Sequence, residues 1–363
     1  MDTEMITLDK YILKEFSKIF ALILVSLIGL YLIADFFERI RMFLSNHATL
    51  GQMVSYSLLS IPMILSQMTP VAVLLGTLLS FGILSKNCEI TAMKANGISL
   101  YRISLPVIIL SFVVCIAVFL LSEVITPYTN QKVKHIKFVE IQKRDGLGSF
   151  KQNQVWYRGK NGIYNFSMFD PRTNTLKGIK VSLFDREMNL YKKIDAKEAK
   201  WENDGWVFRD LLVTTFPEGG FPSLEKEPSR IIDLPERPED FMAVQKDTDE
   251  MGLVELSSFI KKISTEGYDT ITYRTDMHGK IAFPLVSVIL AILGISFSLK
   301  SERSGGISQG IGTGIIIGFS YWIVFAFAIS MGRAGTIPPM LAAWAANLIL
   351  GFAALIMFIR VRT

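Results

Sequence analysis

The chain has 363 residues, 50% of them hydrophobic and 20% charged, with a formal net charge of +5. Its apolar residues stand in long uncharged blocks, which excludes an ordinary soluble globule. Residues 128–277 carry 24 basic and 24 acidic side chains, so the polar part is neutral and offers no basic face to neutralise nucleic-acid phosphates.

The first residues include Asp2, Glu4, Asp9 and Glu15. These are wrong for the basic start of a cleavable signal peptide, and no small-x-small site follows, so the first apolar block is expected to stay as a signal anchor. A bilayer core of about 30 Å needs about 20 helical residues. Six blocks qualify as spans: 19–34, 48–85, 103–122, 281–299, 304–332 and 334–359. The first is short, with Lys18 able to reach one interface and Asp35 near the other. The second is long and reads as an interfacial lead-in followed by a helix near 56–84, bent at Pro62 and Pro70.

The polar loop after span two contains the run Glu89–Ala95, made of good helix formers. Asn87 is placed to cap its start and Gly97 to stop it in a left-handed conformation. Glu89 and Met93, four apart, fall on one face of this helix. It is either an ordinary amphipathic connector or a rigid lever for a motor subunit.

After span three the pattern changes to β. Segments 155–158 and 163–169 flank a turn at 160–162, 179–184 follows Asp170–Pro171, and 199–202 faces 206–215 across Asn203–Asp204–Gly205, a strong hairpin signal. Closely spaced short strands imply a sandwich or jelly roll. The proline-rich stretch 217–238 reads as irregular loop or edge strand. Segment 253–266 then has Leu253, Leu256, Phe259, Ile260 and Ile263 on one helical face, stopped by Gly267. It reads as a connector at the membrane surface. The expected organisation is therefore 1–127, three spans with the loop helix at about 86–97; 128–250, an all-β domain; 251–277, connector and linker; and 278–363, three more spans.

Chemistry is sparse. His47, His135 and His278 stand apart from any metal-ligand or nucleophile pattern. Cys88 in the polar loop and Cys115 in mid-span cannot pair. The glycines from Gly305 to Gly318 lack the Lys-Ser/Thr ending of a phosphate loop and read as helix-packing positions. With no ATP-binding motif, the chain is not expected to be an enzyme, to bind a cofactor itself, or to hydrolyse ATP without a partner. The spans carry no ionisable residue deep in the bilayer, which argues against proton-coupled transport and suits a cargo that is mostly hydrocarbon. Lys10, Lys14, Lys18, Lys86, Lys94, Arg102, Lys300, Arg303, Arg360 and Arg362 gather on one side, against Arg39, Arg41 and Arg333 in short loops on the other. By the positive-inside rule both termini are cytoplasmic and the β domain lies across the membrane.

Several short motifs occur together and in order: Leu8-Asp-Lys-Tyr-Ile12, Asp35-Phe-Phe37, Pro70-x5-Gly76, Glu89-x2-Ala-Met-x-Ala-x-Gly97, Lys280-x3-Pro284 and Ile337-Pro-Pro339. On these the whole chain resembles the lipopolysaccharide-export permease family LptF/LptG, and its LptG branch more closely. The resemblance implies a six-helix inner-membrane subunit of an ABC-type exporter with an inserted jelly-roll-like periplasmic domain. Such a subunit extracts lipopolysaccharide from the outer leaflet and passes it to a periplasmic bridge. Partners implied are an LptF-like subunit, an LptB-like ATPase dimer that hydrolyses the ATP, and an LptC-like protein. Docking of the loop helix to the ATPase falls on Glu89, flanked by Ala92 and Met93. Arg39 matches a position that meets lipid phosphate, with Arg41 nearby, while Leu32 stands where some members have lysine. Phe319, Tyr321, Trp322 and Phe325 of span five are cavity positions, or else lipid-facing or packing aromatics. A permease for another lipid or lipoprotein, and a non-transport envelope scaffold, stay open.

Overall fold

The computed structural model describes residues 2–142, 155–158, 162–166, 168–170, 173–185, 189–202, 205–217, 220–232, 247–265, 269–300 and 307–360. Six of its helices are long and apolar enough to cross a membrane. The first three come from α1 (Asp2–Ser45), α2 (Leu50–Lys86) and α4 (Leu100–Leu120), with the short α3 (Glu89–Ala95) between α2 and α4. A π-helical turn (Leu121–Ile125), α5 (Thr126–His135) and a second π-helical turn (Ile136–Ile141) prolong α4. After the strands come α6 (Leu253–Thr265), α7 (Ile271–Lys300), α8 (Ile307–Arg333) and α9 (Pro339–Arg360).

Local chemistry sets several boundaries. Thr49 and Gln52 form a reciprocal capping box that starts α2. The Ser99 side chain accepts from the Arg102 amide at the start of α4. The expected lead-in before span two is not a separate segment: α2 is one helix from Leu50 to Lys86, with Pro62 and Pro70 inside it. Membrane helices tolerate proline because neighbouring groups re-satisfy the freed backbone carbonyls.

The middle of the bundle is built by α2, α7, α8 and α9. Leu74 and Leu78 interlock with Val286, Leu290 and Leu293, and with Tyr321 and Ala346. Close approach depends on small residues. A Cβ at Gly294 would lie 2.0 Å from Thr77 Oγ1 and 3.0 Å from the Leu74 carbonyl oxygen. One at Gly314 would meet the Leu78 and Leu75 side chains at 2.6 and 2.7 Å, whereas Gly312 has nothing within 4 Å. Within the glycine-rich stretch the packing role thus lies at Gly314; Gly305 and Gly306 fall outside the described residues. Span one is peripheral, with 6% of its apolar window buried. It packs on α2 where Gly76 admits Phe16 and Phe20.

Among the described residues the β region forms one antiparallel sheet of seven strands: β1 (Val155–Arg158), β2 (Gly162–Phe166), β3 (Met168–Asp170), β4 (Thr175–Phe184), β5 (Leu190–Glu202), β6 (Gly205–Thr215) and β7 (Ser223–Ile232). The order is β1-β2-β4-β5-β6-β7, with β3 on the end of β4. Among the described strands this is a meander, in which each long strand pairs with its successor, without the crossing connections of a jelly roll. The turns expected at 160–161, 171, 203–204 and the stop at Gly267 lie outside the described residues.

One apolar face buries Tyr164, Val181, Ile194 and Val213 in one row, and Leu176, Ala199 and Phe208 in another. Between these rows the inward parity changes. Gly178 (φ +58) and Asp210 (φ +49) break the pleat, and Pro228 stands beside them on β7. On β4 the inward positions go from Leu176 to Ile179 in place of strict alternation. β7 ends the sheet as a largely exposed edge strand, one of the two alternatives expected for 217–238. Glu225, Glu227 and Arg230 on it face β6 partners Val213, Leu211 and Phe208, a charged boundary that discourages edge-to-edge pairing. The connector α6 forms as expected, with Leu256, Phe259, Ile260 and Ile263 buried against Tyr273 and Met277 of α7.

Gly294→Ala is expected to destabilise the detergent-solubilised protein by about 1–3 kcal/mol, the usual cost of overpacking, seen as a lower thermal midpoint. Gly29→Ala, with nothing within 4 Å of the added methyl, should leave the midpoint unchanged or raised.

Candidate functional site

Two ends of the bundle carry polar structure. At the first, α3 is held by one apolar plug: Ile90 is 2% exposed among Ile12, Phe16, Phe81, Leu84, Leu100 and Ile103. Cys88, at φ +60, turns the chain sharply out of α2. Asn87 does not cap α3 as expected; it closes α2, and its Nδ2 donates to Glu89 Oε1 at 3.2 Å. The other end of α3 is a Schellman closure, with Ile98 N donating to Met93 O at 3.1 Å, Gly97 N to Lys94 O at 2.9 Å, and Gly97 at φ +81. Glu89 Oε2 accepts from the Tyr11 hydroxyl at 2.8 Å. Met93 turns toward the apolar cluster under α3, while Ala92 is exposed. Beside this, Arg102 grips Asp9 with both guanidinium nitrogens, at 2.8 and 2.7 Å. Such forked pairs fix geometry as well as charge. No motif in the loop itself signals Tyr11, Asp9 or Arg102; the available hint was the start at 8–12, which contains two of them.

At the opposite end, Arg39 is committed within the chain. Its Nε donates to Asp35 Oδ1 at 2.8 Å and its guanidinium lies 5.3 Å from the Tyr56 ring centroid. Arg41, two residues further along α1, is exposed. A cleft of about 510 Å³ opens between α2, the first π-helical turn, α7 and α8, with an apolar wall from Met63, Phe283, Trp322 and Phe325. Of the four aromatics singled out in span five, Trp322 and Phe325 line this cleft. Phe319 does not; it is 67% exposed and lies about a turn before Trp322 along α8. Tyr321 is 2% exposed inside the bundle, where its hydroxyl donates to Asn347 Oδ1 at 3.2 Å. Asn347 Nδ2 in turn donates to the Ala282 carbonyl at 2.6 Å, so this pair binds α7, α8 and α9 together. Tyr321 is therefore a packing aromatic that does not line this cleft.

The polar floor of the cleft was not evident from local sequence. Asp276 Oδ1 accepts from Arg333 Nε at 2.7 Å and its Oδ2 from the Thr248 hydroxyl at 2.8 Å. Lys280 Nζ donates to the Met251 carbonyl at 2.8 Å. Asn130 and Gln131 donate to the carbonyls of Asp249 and Glu250 at 3.2 and 2.9 Å. Lys134 is paired with Asp247 and Glu250, and the Glu123 carboxylate accepts from the Leu253 amide. The chain returning from the sheet is thus strapped across the cleft's outer end.

The sequence of this chain matches the family profile described as "Lipopolysaccharide export system permease LptF/LptG" over residues 10–360. The chain belongs to the LptF/LptG family. Among curated relatives, an LptG permease protein of the lipopolysaccharide export system from Haemophilus influenzae is 25% identical over 321 residues, 88% of each chain. The Escherichia coli K12 LptG protein is 24% identical over 342 residues, 93% of each chain. The agreement runs the length of both LptG proteins.

The packing makes a direct prediction for this LptF/LptG member. On a Cys88→Ser, Cys115→Ala background, a cysteine at Trp322 should react readily with a small thiol reagent. One at Tyr321 should react at least about tenfold more slowly, because that side chain is buried. Equal labelling rates would contradict the placement of α8.

Proposed function

We propose that this chain is the LptG-type permease subunit of a lipopolysaccharide exporter in the inner membrane. It would pair with an LptF-like subunit and be driven by an LptB-like ATPase dimer on the cytoplasmic side. The observation that carries this reading is the construction of α3: a short helix keyed into the bundle by Ile90, carrying an oriented acidic side chain, at the end opposite the cleft. A loop that merely joined α2 to α4 would need neither the plug nor the oriented carboxylate. ATP is bound and hydrolysed by the partner; this chain binds no cofactor and makes or breaks no covalent bond.

Glu89 and the exposed Ala92 are the docking contacts. Met93 contributes from below, by packing α3 onto the bundle. The cleft lined by Trp322 and Phe325 takes acyl chains, since apolar walls in a membrane-embedded cavity suit hydrocarbon. Arg41 is the freer of the two head-group arginines; Arg39, held by Asp35, positions the outer end of span one and contributes its remaining guanidinium donors to phosphate. The β domain stands on the periplasmic side and passes the lipid to an LptC-like protein.

Two experiments test this. In Glu89→Ala the chain should insert and fold normally but bind the ATPase at least about thirtyfold more weakly, because truncating one side of an interfacial charge pair typically costs about 2–5 kcal/mol. Full ATPase recovery would remove the docking role. Separately, Arg41→Glu should cut lipid photocrosslinking at span one several-fold, and unchanged crosslinking would remove the head-group role.

A further inference from the structure

The foot of span one bears on the loop helix in a way that the docking role of Glu89 does not require. Span one also packs on α2 through Ile23 and, at its far end, Phe43, but little of its most apolar stretch is buried, and its lower half is fixed by Ile12 and Phe16, which are 1% and 0% exposed in the same cluster as Ile90. Beside Ile12, Tyr11 reaches across to Glu89, 78 residues away in sequence, and Asp9 reaches Arg102 on the first turn of α4. Span one therefore touches the chain on both sides of the loop helix, at its first residue and just beyond its end.

The two ties differ in chemistry. Asp9 and Arg102 satisfy one another's charge. Glu89 is held only by neutral donors in the contacts described, the Tyr11 hydroxyl on Oε2 and the Asn87 amide on Oε1. An ionised carboxylate has about four acceptor sites, so these two bonds fix its direction, leave acceptor capacity on each oxygen, and leave its charge uncompensated.

We propose that Tyr11 is a positioning residue for energy coupling. It ties the Glu89 carboxylate to span one, so that displacement of α3 is delivered to the helix whose outer end carries the head-group arginines. The inference rests on the docking reading of Glu89. It adds that the same side chain is the point where span one receives the push.

The test uses the complete transporter in proteoliposomes with lipopolysaccharide as the cargo and a periplasmic acceptor protein to collect it. In Tyr11→Phe the Glu89 charge is intact, so ATPase occupancy and ATP hydrolysis should stay within about twofold of wild type. Lipid released per ATP should fall about fivefold. A purely structural role for the hydroxyl would lower the amount of assembled transporter and leave that ratio alone. An unchanged ratio overturns the proposal, as does a loss of ATPase that accounts for all of the lost release. Glu89→Ala separates the two ideas. If it retains its ATPase, the docking reading itself fails; if it loses the ATPase while Tyr11→Phe is indistinguishable from wild type, only the coupling role of Tyr11 fails.

Discussion

The burial of Ile90 is the contact on which the rest depends. A seven-residue helix has no stability of its own in water, because nucleation costs more than one or two turns of hydrogen bonds return. α3 exists as a defined element because its one deeply apolar side chain is inserted among Ile12, Phe16, Leu84 and Leu100. That plug draws span one, span two and span three together at one point. It turns a loop into a solid part of the bundle, and a solid part can transmit force where a flexible connector would absorb it.

The opposite end follows a different rule. Polar groups near the membrane must be paired, and here the pairing partners come from the chain returning out of the sheet. Thr248, Met251 and Leu253 are each hydrogen-bonded to a side chain of the bundle, through Asp276, Lys280 and Glu123. Arg333 at the end of α8 shares Asp276 with Thr248. Any shift of α8 that widens or narrows the cleft is therefore felt, through one carboxylate, by the segment that leads to the β domain. π-helical turns commonly mark functional positions in helices, and the turn bearing Glu123 also supplies Ser122 to the cleft.

Much of this was legible in the sequence, for reasons that differ by element. The spans were plain because hydrocarbon demands an unbroken apolar run, and α6 was plain because its apolar spacing matches one helical face. The loop helix was readable from Gly97, whose left-handed φ stops it. Its orientation was not: Asn87 belongs to the preceding helix, and Met93 faces inward, because the plug at Ile90 rotates α3 about its axis. The sheet was harder. β5 carries Lys192, Lys193, Lys197 and Glu198, and the pleat reversal at Gly178 and Asp210 breaks the alternation by which strands are recognised. The split among the span-five aromatics was invisible locally, since Tyr321 is turned inward by an asparagine on another helix. The ties Tyr11–Glu89, Asp9–Arg102 and Asp276–Arg333 join residues at least 57 positions apart, a separation that no local pattern encodes.

The central claim is that α3 and the foot of span one form one mechanical body whose motion reshapes the lipid path. Spin labels at Ala92 and Lys14, and a second pair at Ile33 and Phe319, can be followed by pulsed electron-electron distance measurements in the assembled transporter. Between the nucleotide-free and ATP-trapped states, the account predicts a constant Ala92–Lys14 distance together with a changed Ile33–Phe319 distance. A changing Ala92–Lys14 distance with a fixed Ile33–Phe319 distance would contradict it.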